Sequence, residues 1–167
     1  MNQLFSFPNP VNEVSARLVA AVVAVLGVVT IALDQPWVML FLAYGFVARV
    51  LTGPTLSPLG QFVTRVLTPN LPFTPKYVAG PPKRFAQGIG ATLSVGAVIA
   101  YYAFGATGVA YVLVGLIIVA ATLESVFALC LGCKIFSVLI RFGVIPEEIC
   151  ERCNNIWSDA PALTPTP

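Results

Sequence analysis

The side chains best suited to chemistry in this chain are its four cysteines, Cys130, Cys133, Cys150 and Cys153, which form two C-x-x-C pairs sixteen residues apart. This spacing is typical of four-thiolate zinc sites, because thiolates match the tetrahedral preference of zinc. The same pairs suit redox or sulfur transfer, in which a thiolate attacks a disulfide or persulfide. A third interpretation is packing, since free cysteines are often buried as small apolar side chains.

The segment that carries the cysteines is predicted to be a helical hairpin over residues 130–157. Residues 134–140 read as a continuing helix, residues 141–143 as a break, and Pro146 with two acids as a new helix start. Both cysteine pairs are symmetric about Phe142, so the hairpin would bring four sulfurs to one place.

The helix dipole assigns the cysteines different roles. Cys130 and Cys133 are expected near the C-terminal end of a long membrane helix, whose negative partial charge disfavours a thiolate. Cys150 is expected in a first turn, where the dipole favours one. The sequence therefore predicts that Cys150 attacks and Cys153 resolves, while Cys130 and Cys133 complete a relay or share a metal, for which zinc is the candidate.

A second group of chemical interest lies in residues 80–87, GPPKRFAQ, at the start of an apolar stretch. Lys83 and Arg84 stand where free N–H groups and the helix dipole already favour an anion, and Arg49 is expected on the same side. These three cations are the predicted anion-binding residues. The alternative is topological, because positive residues commonly flank the cytoplasmic ends of membrane helices.

Glu124 is the acid within an otherwise apolar stretch, shortly before Cys130. A carboxylate there is costly unless it is paired, neutral or hydrated. The expected arrangement is a structural ion pair with Arg49 or Arg84. The functional alternative is a proton acceptor for the thiols or a coupling site for transport.

The composition indicates a membrane protein. Hydrophobic residues make up 57% of the chain and charged residues 10%, against about 25% charge in soluble domains, and the mean hydropathy is +0.88. A net charge of +2 gives no argument for nucleic acid. The absence of histidine removes the commonest general base and metal ligand.

The predicted fold is all-α, with residues 1–160 forming one membrane domain and residues 161–167 a disordered tail. The domain contains four transmembrane helices, an interfacial amphipathic helix at about residues 57–68, and the C-terminal cytoplasmic hairpin. The predicted spans are residues 17–33, 37–51, 85–105 and 109–130.

The charges predict the orientation. All nine basic residues fall in the segments that four spans would place on one side, and the two short opposite loops hold none. Positive residues stay cytoplasmic, so both termini and all the cysteines are expected on the cytoplasmic face of a bacterial inner membrane. The first residues do not resemble a signal peptide. Cytoplasmic thiols are kept reduced, which disfavours permanent disulfides.

Five segments together resemble a known family: residues 7–13 (FPNPVNE), 49–60 (RVLTGPTLSPLG), 80–87, 130–134 (CLGCK) and 145–150 (IPEEIC). The chain is similar to the bacterial integral-membrane family called domain of unknown function 4395. The resemblance implies a small polytopic membrane protein without an established activity, and thioredoxin-like or rhodanese-like proteins as partners. Many relatives begin with Cys-Pro where this chain has Phe7-Pro8, so a mechanism that needs a fifth thiol is in doubt here.

Three functions follow from these observations. The leading one is a membrane component of thiol-redox or sulfur metabolism that uses the cytoplasmic twin C-x-x-C site. The alternatives are a non-enzymatic membrane scaffold clamped by a structural zinc, and a small transporter subunit that depends on Glu124. A transporter of this size would need a homo-oligomer, which the sequence leaves open.

Overall fold

A computed structural model describes residues 11–72, 76–78 and 80–144 of the chain. The described part is almost entirely helical, as predicted. The second arm of the predicted hairpin, with Cys150 and Cys153, and the predicted tail lie outside the described residues. In chain order the elements are β1 (Val11–Asn12), α1 (Glu13–Ala32), α2 (Trp37–Thr52), α3 (Pro58–Phe62), a π-helical turn (Val63–Leu67), α4 (Thr68–Asn70), β2 (Tyr77–Val78), α5 (Gly80–Tyr102), α6 (Thr107–Phe127) and α7 (Leu131–Arg141).

Three of the described helices, α1, α5 and α6, are long and apolar enough to cross a membrane, with hydropathies of 2.4, 1.2 and 2.2. The other predicted span is α2, an apolar helix of 16 residues. It follows Pro36 and ends at Gly53, whose φ of 64° lies in the left-handed region. With 16 residues, α2 is shorter than the roughly 20 residues that a transmembrane helix needs, whereas α1, α5 and α6 reach that length.

These helices form a bundle in which α1 packs against α2 and α6, and α5 packs against α2 and α6. The centre is filled by medium-sized side chains of α1, α2 and α6, including Val23, Leu42, Phe46 and Ile117. Close approach of α2 to α5 depends on Gly90, because a Cβ there would lie 2.3 Å from a ring carbon of Phe46.

The outside of the bundle is also apolar. Large exposed side chains include Val28, Tyr44, Ile99, Val112, Leu116 and Val119. Only 33% of the most apolar window of α1, and 22% of those of α5 and α6, is buried inside the chain. An apolar surface of this extent is unusual for a soluble monomer and typical of a protein that contacts lipid or a partner.

The predicted helix at residues 57–68 is present as α3, the π-helical turn and α4 in direct succession. Ser57 caps α3 by accepting a hydrogen bond from the N–H of Gly60. Leu59 and Leu67 pack against the bundle, whereas Phe62 and Val66 are exposed. The segment is therefore helical, with apolar side chains both against the bundle and on its exposed side, and its place at the membrane interface stays a prediction.

The predicted span at residues 109–130 is wrong at its end. Helix α6 stops at Phe127, and Ala128 takes the left-handed conformation with φ 55°. The chain turns there, and Cys130 becomes the N-cap of α7 rather than part of a membrane helix. Cys130 and Cys133 therefore lie at the positive N-terminal end of the α7 dipole, and not at the negative C-terminal end of α6.

Helix α7 packs closely on the start of α5. The contact is made by Gly132, because a Cβ there would lie 2.4 Å from Cβ and 2.5 Å from Cα of Ala86. One turn later the rings of Phe85 and Phe136 meet with centroids 5.6 Å apart. The glycine between the two cysteines therefore sets how closely the dithiol approaches α5.

We expect Gly132→Ala to destabilise the protein, because the added methyl group meets backbone that cannot move away. The expected loss is about 1–3 kcal/mol, as for overpacked cores. Gly88→Ala in α5 is the matched control, since a Cβ there has nothing within 4 Å and removing a helical glycine should stabilise by about 0.4–1 kcal/mol. Thermal unfolding of the purified variants measures both, and equal unfolding temperatures would contradict the close packing of α7.

Candidate functional site

The described half of the cysteine motif is a dithiol at the start of α7. The Sγ atom of Cys130 accepts a hydrogen bond from the backbone N–H of Cys133, at 3.4 Å. Cys130 therefore occupies the position where Ser, Thr or Asp commonly cap a helix. Both cysteines are free thiols, Cys130 buried and Cys133 partly buried. This placement is typical of reactive C-x-x-C motifs, whose thiolate is stabilised at a helix N-terminus.

The two thiols differ in acidity. The thiol of Cys133 donates a hydrogen bond to Cys130, and this bond lowers the pKa of Cys130 below its ordinary value; the Lys83 ammonium and the Cys133 backbone N–H act in the same direction, against burial and Glu124. The same bond, together with burial, raises the pKa of Cys133. The two directions, together with the backbone N–H on the sulfur of Cys130, favour the thiolate at Cys130 over Cys133. Cys150, the nucleophile predicted from the sequence, lies outside the described residues, so its role stays a prediction.

An ion pair stands beside the dithiol. Lys83 Nζ lies 2.5 Å from Oε1 of Glu124, and both side chains are largely buried, with exposed fractions of 10% and 17%. The predicted structural ion pair of Glu124 is therefore present, but its partner is Lys83 and not Arg49 or Arg84. The reason is that α5 begins at Gly80 instead of Phe85, which turns Lys83 toward α6.

Arg49 is buried between α2 and α5, with 5% of its surface exposed. Its Nε donates to Oε1 of Gln87 at 3.0 Å, and its Nη1 donates to Oγ of Ser57 at 3.5 Å. The guanidinium also lies over the ring of Phe46, 4.6 Å from the centroid. Burial of this kind requires hydrogen-bonding and aromatic partners, since an isolated charge would be costly.

The three cations predicted to bind an anion therefore have partners within the protein. Lys83 is paired with Glu124, Arg49 with Gln87, and the Nε of Arg84 donates to the carbonyl of Val50 at 3.0 Å. Lys83 and Arg49 line one cavity with Glu124 and Cys130. Anion binding by this cluster stays a prediction.

The dithiol lies between two spaces. On one side is a cavity of about 270 Å³ within the bundle, which Cys130 lines together with Arg49, Lys83 and Gln87. On the other side is an open cleft of about 340 Å³, lined by Cys130, Cys133, Lys83 and polar side chains of α7. Cys130 is thus reachable from both, although little of its surface is exposed.

Two features of the site were missed by sequence reasoning. Gln87, in the segment of the predicted anion site, is the hydrogen-bond partner of Arg49. Arg17 donates to the carbonyls of Ser125 and Val126 and so joins α1 to the end of α6. Glu13, in the first turn of α1, pairs with Lys76, at 3.2 Å. The helical spacing of Lys83 and Gln87 was the one available signal for the first feature.

A metal centre is not formed within residues 11–72, 76–78 and 80–144, where no group of three or more metal-ligating side chains occurs. The predicted zinc site also needs Cys150 and Cys153, which lie outside these ranges. It stays a prediction.

A family model described as Domain of unknown function (DUF4395) matches residues 11–141 of the chain. No curated protein and no solved structure matches the chain.

The pH dependence of alkylation at Cys130 tests the electrostatics of the site. Because the pKa of Cys130 is lowered, we expect its reaction with iodoacetamide to set in at a lower pH than that of an ordinary cysteine, and to be lost as the pH falls through the lowered value. Peptide mass spectrometry reads the reaction at Cys130 alone.

Two variants of the ion pair should move this profile in opposite directions. Lys83→Met removes the cation that favours the thiolate and should shift the profile to higher pH. Glu124→Gln removes the anion that opposes it and should shift the profile to lower pH. Shifts of the same sign would indicate general disruption and would contradict the proposed electrostatics.

Proposed function

The chain belongs to the DUF4395 family, and from that premise we propose that it is an integral membrane protein whose Cys130–Cys133 dithiol exchanges disulfides with a partner. The observation that carries the proposal is the position of Cys130 as the N-cap of α7, with the N–H of Cys133 on its sulfur. This arrangement favours one thiolate over the other, as a dithiol reagent requires.

The membrane assignment is supported by the three long apolar helices and by the apolar outer surface of the bundle. We propose α2 as the fourth span. With 16 residues it would be about 24 Å long, less than the roughly 30 Å of hydrocarbon in a bilayer. Segment α3–α4, which joins it, would then lie at the interface. The proposed location is the bacterial plasma membrane.

In the proposed reaction, the Cys130 thiolate attacks one sulfur of a substrate disulfide and releases the other as a thiolate. This forms a mixed disulfide. Cys133 then loses its proton and attacks the sulfur of Cys130, so that a Cys130–Cys133 disulfide forms and the substrate leaves as a dithiol. One disulfide is broken and one is formed, and the step is reversible.

The cation Lys83 has a clear part in this scheme. It lies beside both Cys130 and Glu124, so it stabilises the thiolate while its own charge is balanced by the carboxylate. The open cleft on the α7 side gives a substrate access to both sulfurs. Thioredoxin-like or rhodanese-like proteins carry the chemistry that would fit there, and Cys150 with Cys153 would be a second dithiol in the same relay.

The order of attack can be tested with glutathione disulfide as substrate. In Cys133→Ser the mixed disulfide at Cys130 cannot be resolved by Cys133, so we expect at least about a tenfold larger glutathione adduct than in the unchanged protein. Intact-protein mass spectrometry after acid quenching measures the adduct.

The matched control is Cys130→Ser, which keeps Cys133. Burial still raises the pKa of this remaining thiol, and no backbone N–H caps its sulfur as it does that of Cys130, so its adduct should form more slowly at neutral pH. Equal adducts in the two variants would contradict the assignment of Cys130 as the attacking thiol.

The proposed orientation predicts where single reporter cysteines can be labelled. In a background without the native cysteines, Ser137→Cys in α7 should react with a membrane-impermeant maleimide only from the cytoplasmic face, in inside-out vesicles. Phe104→Cys, at a position 76% exposed between α5 and α6, should react only in intact cells. Labelling of both from one side would exclude an odd number of spans between them.

A further inference from the structure

The cavity inside the bundle has an apolar wall and a polar end. Its wall is formed by small and branched side chains of α1, α5 and α6, among them Val23, Leu93 and Ile117. Its polar lining consists of Arg49, Gln87, Lys83, Glu124 and Cys130. An apolar space with a few convergent polar groups is the usual form of a small-molecule site.

The rim of this cavity faces the apolar outside of the protein. Four of the residues that line it, Leu116, Val119, Leu131 and Ile135, have 51%, 56%, 42% and 46% of their surface exposed. Leu116 and Val119 belong to α6, so this part of the opening lies on the surface proposed above to contact lipid. A ligand would reach this part of the rim from the bilayer.

The polar end suits a neutral carbonyl oxygen. Arg49 and Gln87 supply N–H donors, while the charge of Lys83 is already balanced by Glu124. A lipid acyl chain would use the wall but none of these donors. The volume of about 270 Å³ is close to the lower limit of ligand pockets, roughly 300 Å³, so it suits a ring with its chain left in the membrane.

We propose that this cavity takes the ring of a lipid-soluble quinone, which accepts the electron pair of the Cys130–Cys133 dithiol. The inference rests on the proposed disulfide exchange and adds the chemical class of the electron acceptor. Its basis is that the dithiol lies between the lipid-side cavity and the open cleft, so one sulfur couple is within reach of both a membrane oxidant and a protein substrate.

The step balances. The two thiols form one S–S bond and give up two electrons and two protons, and the quinone takes up both to become a hydroquinone. The disulfide is then passed to a substrate dithiol through the cleft, which restores both thiols. Lys83 and Glu124, next to Cys130, are placed to carry protons away from the sulfurs.

Oxidation of the full chain in nanodiscs tests whether a quinone accepts electrons from the Cys130–Cys133 dithiol. Decylubiquinone is the probe, because its fully substituted ring does not add thiols. After the reductant is removed, the unchanged protein should lose the alkylation of Cys130 and Cys133, and one hydroquinone should form for each disulfide.

The entry route can be blocked at the rim. Val119→Trp should slow oxidation by decylubiquinone at least about tenfold. Val112→Trp is the matched control, since it lies on the same face of α6, is 64% exposed, and does not line the cavity; it should oxidise like the unchanged protein. Glutathione disulfide, which enters by the cleft, should oxidise all three at the same rate.

The outcomes separate the two proposals. Thiols that react with glutathione disulfide but persist in decylubiquinone would overturn the quinone inference and leave disulfide exchange standing. An unslowed Val119→Trp, or one slowed equally with both oxidants, would also overturn the inference. Thiols inert to both oxidants would overturn the proposed function itself.

Discussion

The ion pair between Lys83 and Glu124 is the interaction on which the site depends. It joins the beginning of α5 to the last turns of α6, within a bundle whose core is apolar. Either charge alone would be costly there, and each makes the other tolerable. Because α7 starts directly after α6 and packs on α5, the helices held by this pair are also those that position Cys130.

The long apolar helices could be predicted from the sequence, because composition and length decide them. The end of α6 could not. Residues 128–131 are Ala, Leu, Cys and Leu, which carry no proline or glycine stop signal, and left-handed Ala128 is a conformation that alanine seldom takes. Cysteine is also not a usual N-cap residue, so no residue type in this segment indicated the boundary between α6 and α7. The family, in contrast, was recognisable from short segments spread over the chain.

The partners of the buried charges were only partly predictable. The sequence showed that Glu124 needs a cation, but the choice depends on which face of α5 each residue occupies. Once α5 starts at Gly80, Lys83, Gln87, Gly90 and Ser94 fall on one inward stripe, and Arg84 falls beside it. Lys83 therefore reaches Glu124, whereas the Nε of Arg84 donates to the carbonyl of Val50.

Oxidation alters the charge balance at the start of α7. With Cys130 as a thiolate, the charges of Arg49, Lys83, Glu124 and Cys130, which line one cavity, sum to zero, and with the disulfide they sum to +1. The reduced form is thus easier to keep in a medium of low dielectric constant, and the oxidised form gains more from water. The amount of water around Cys130 and Cys133 would therefore depend on their redox state, so that electron transfer changes the hydration of the dithiol.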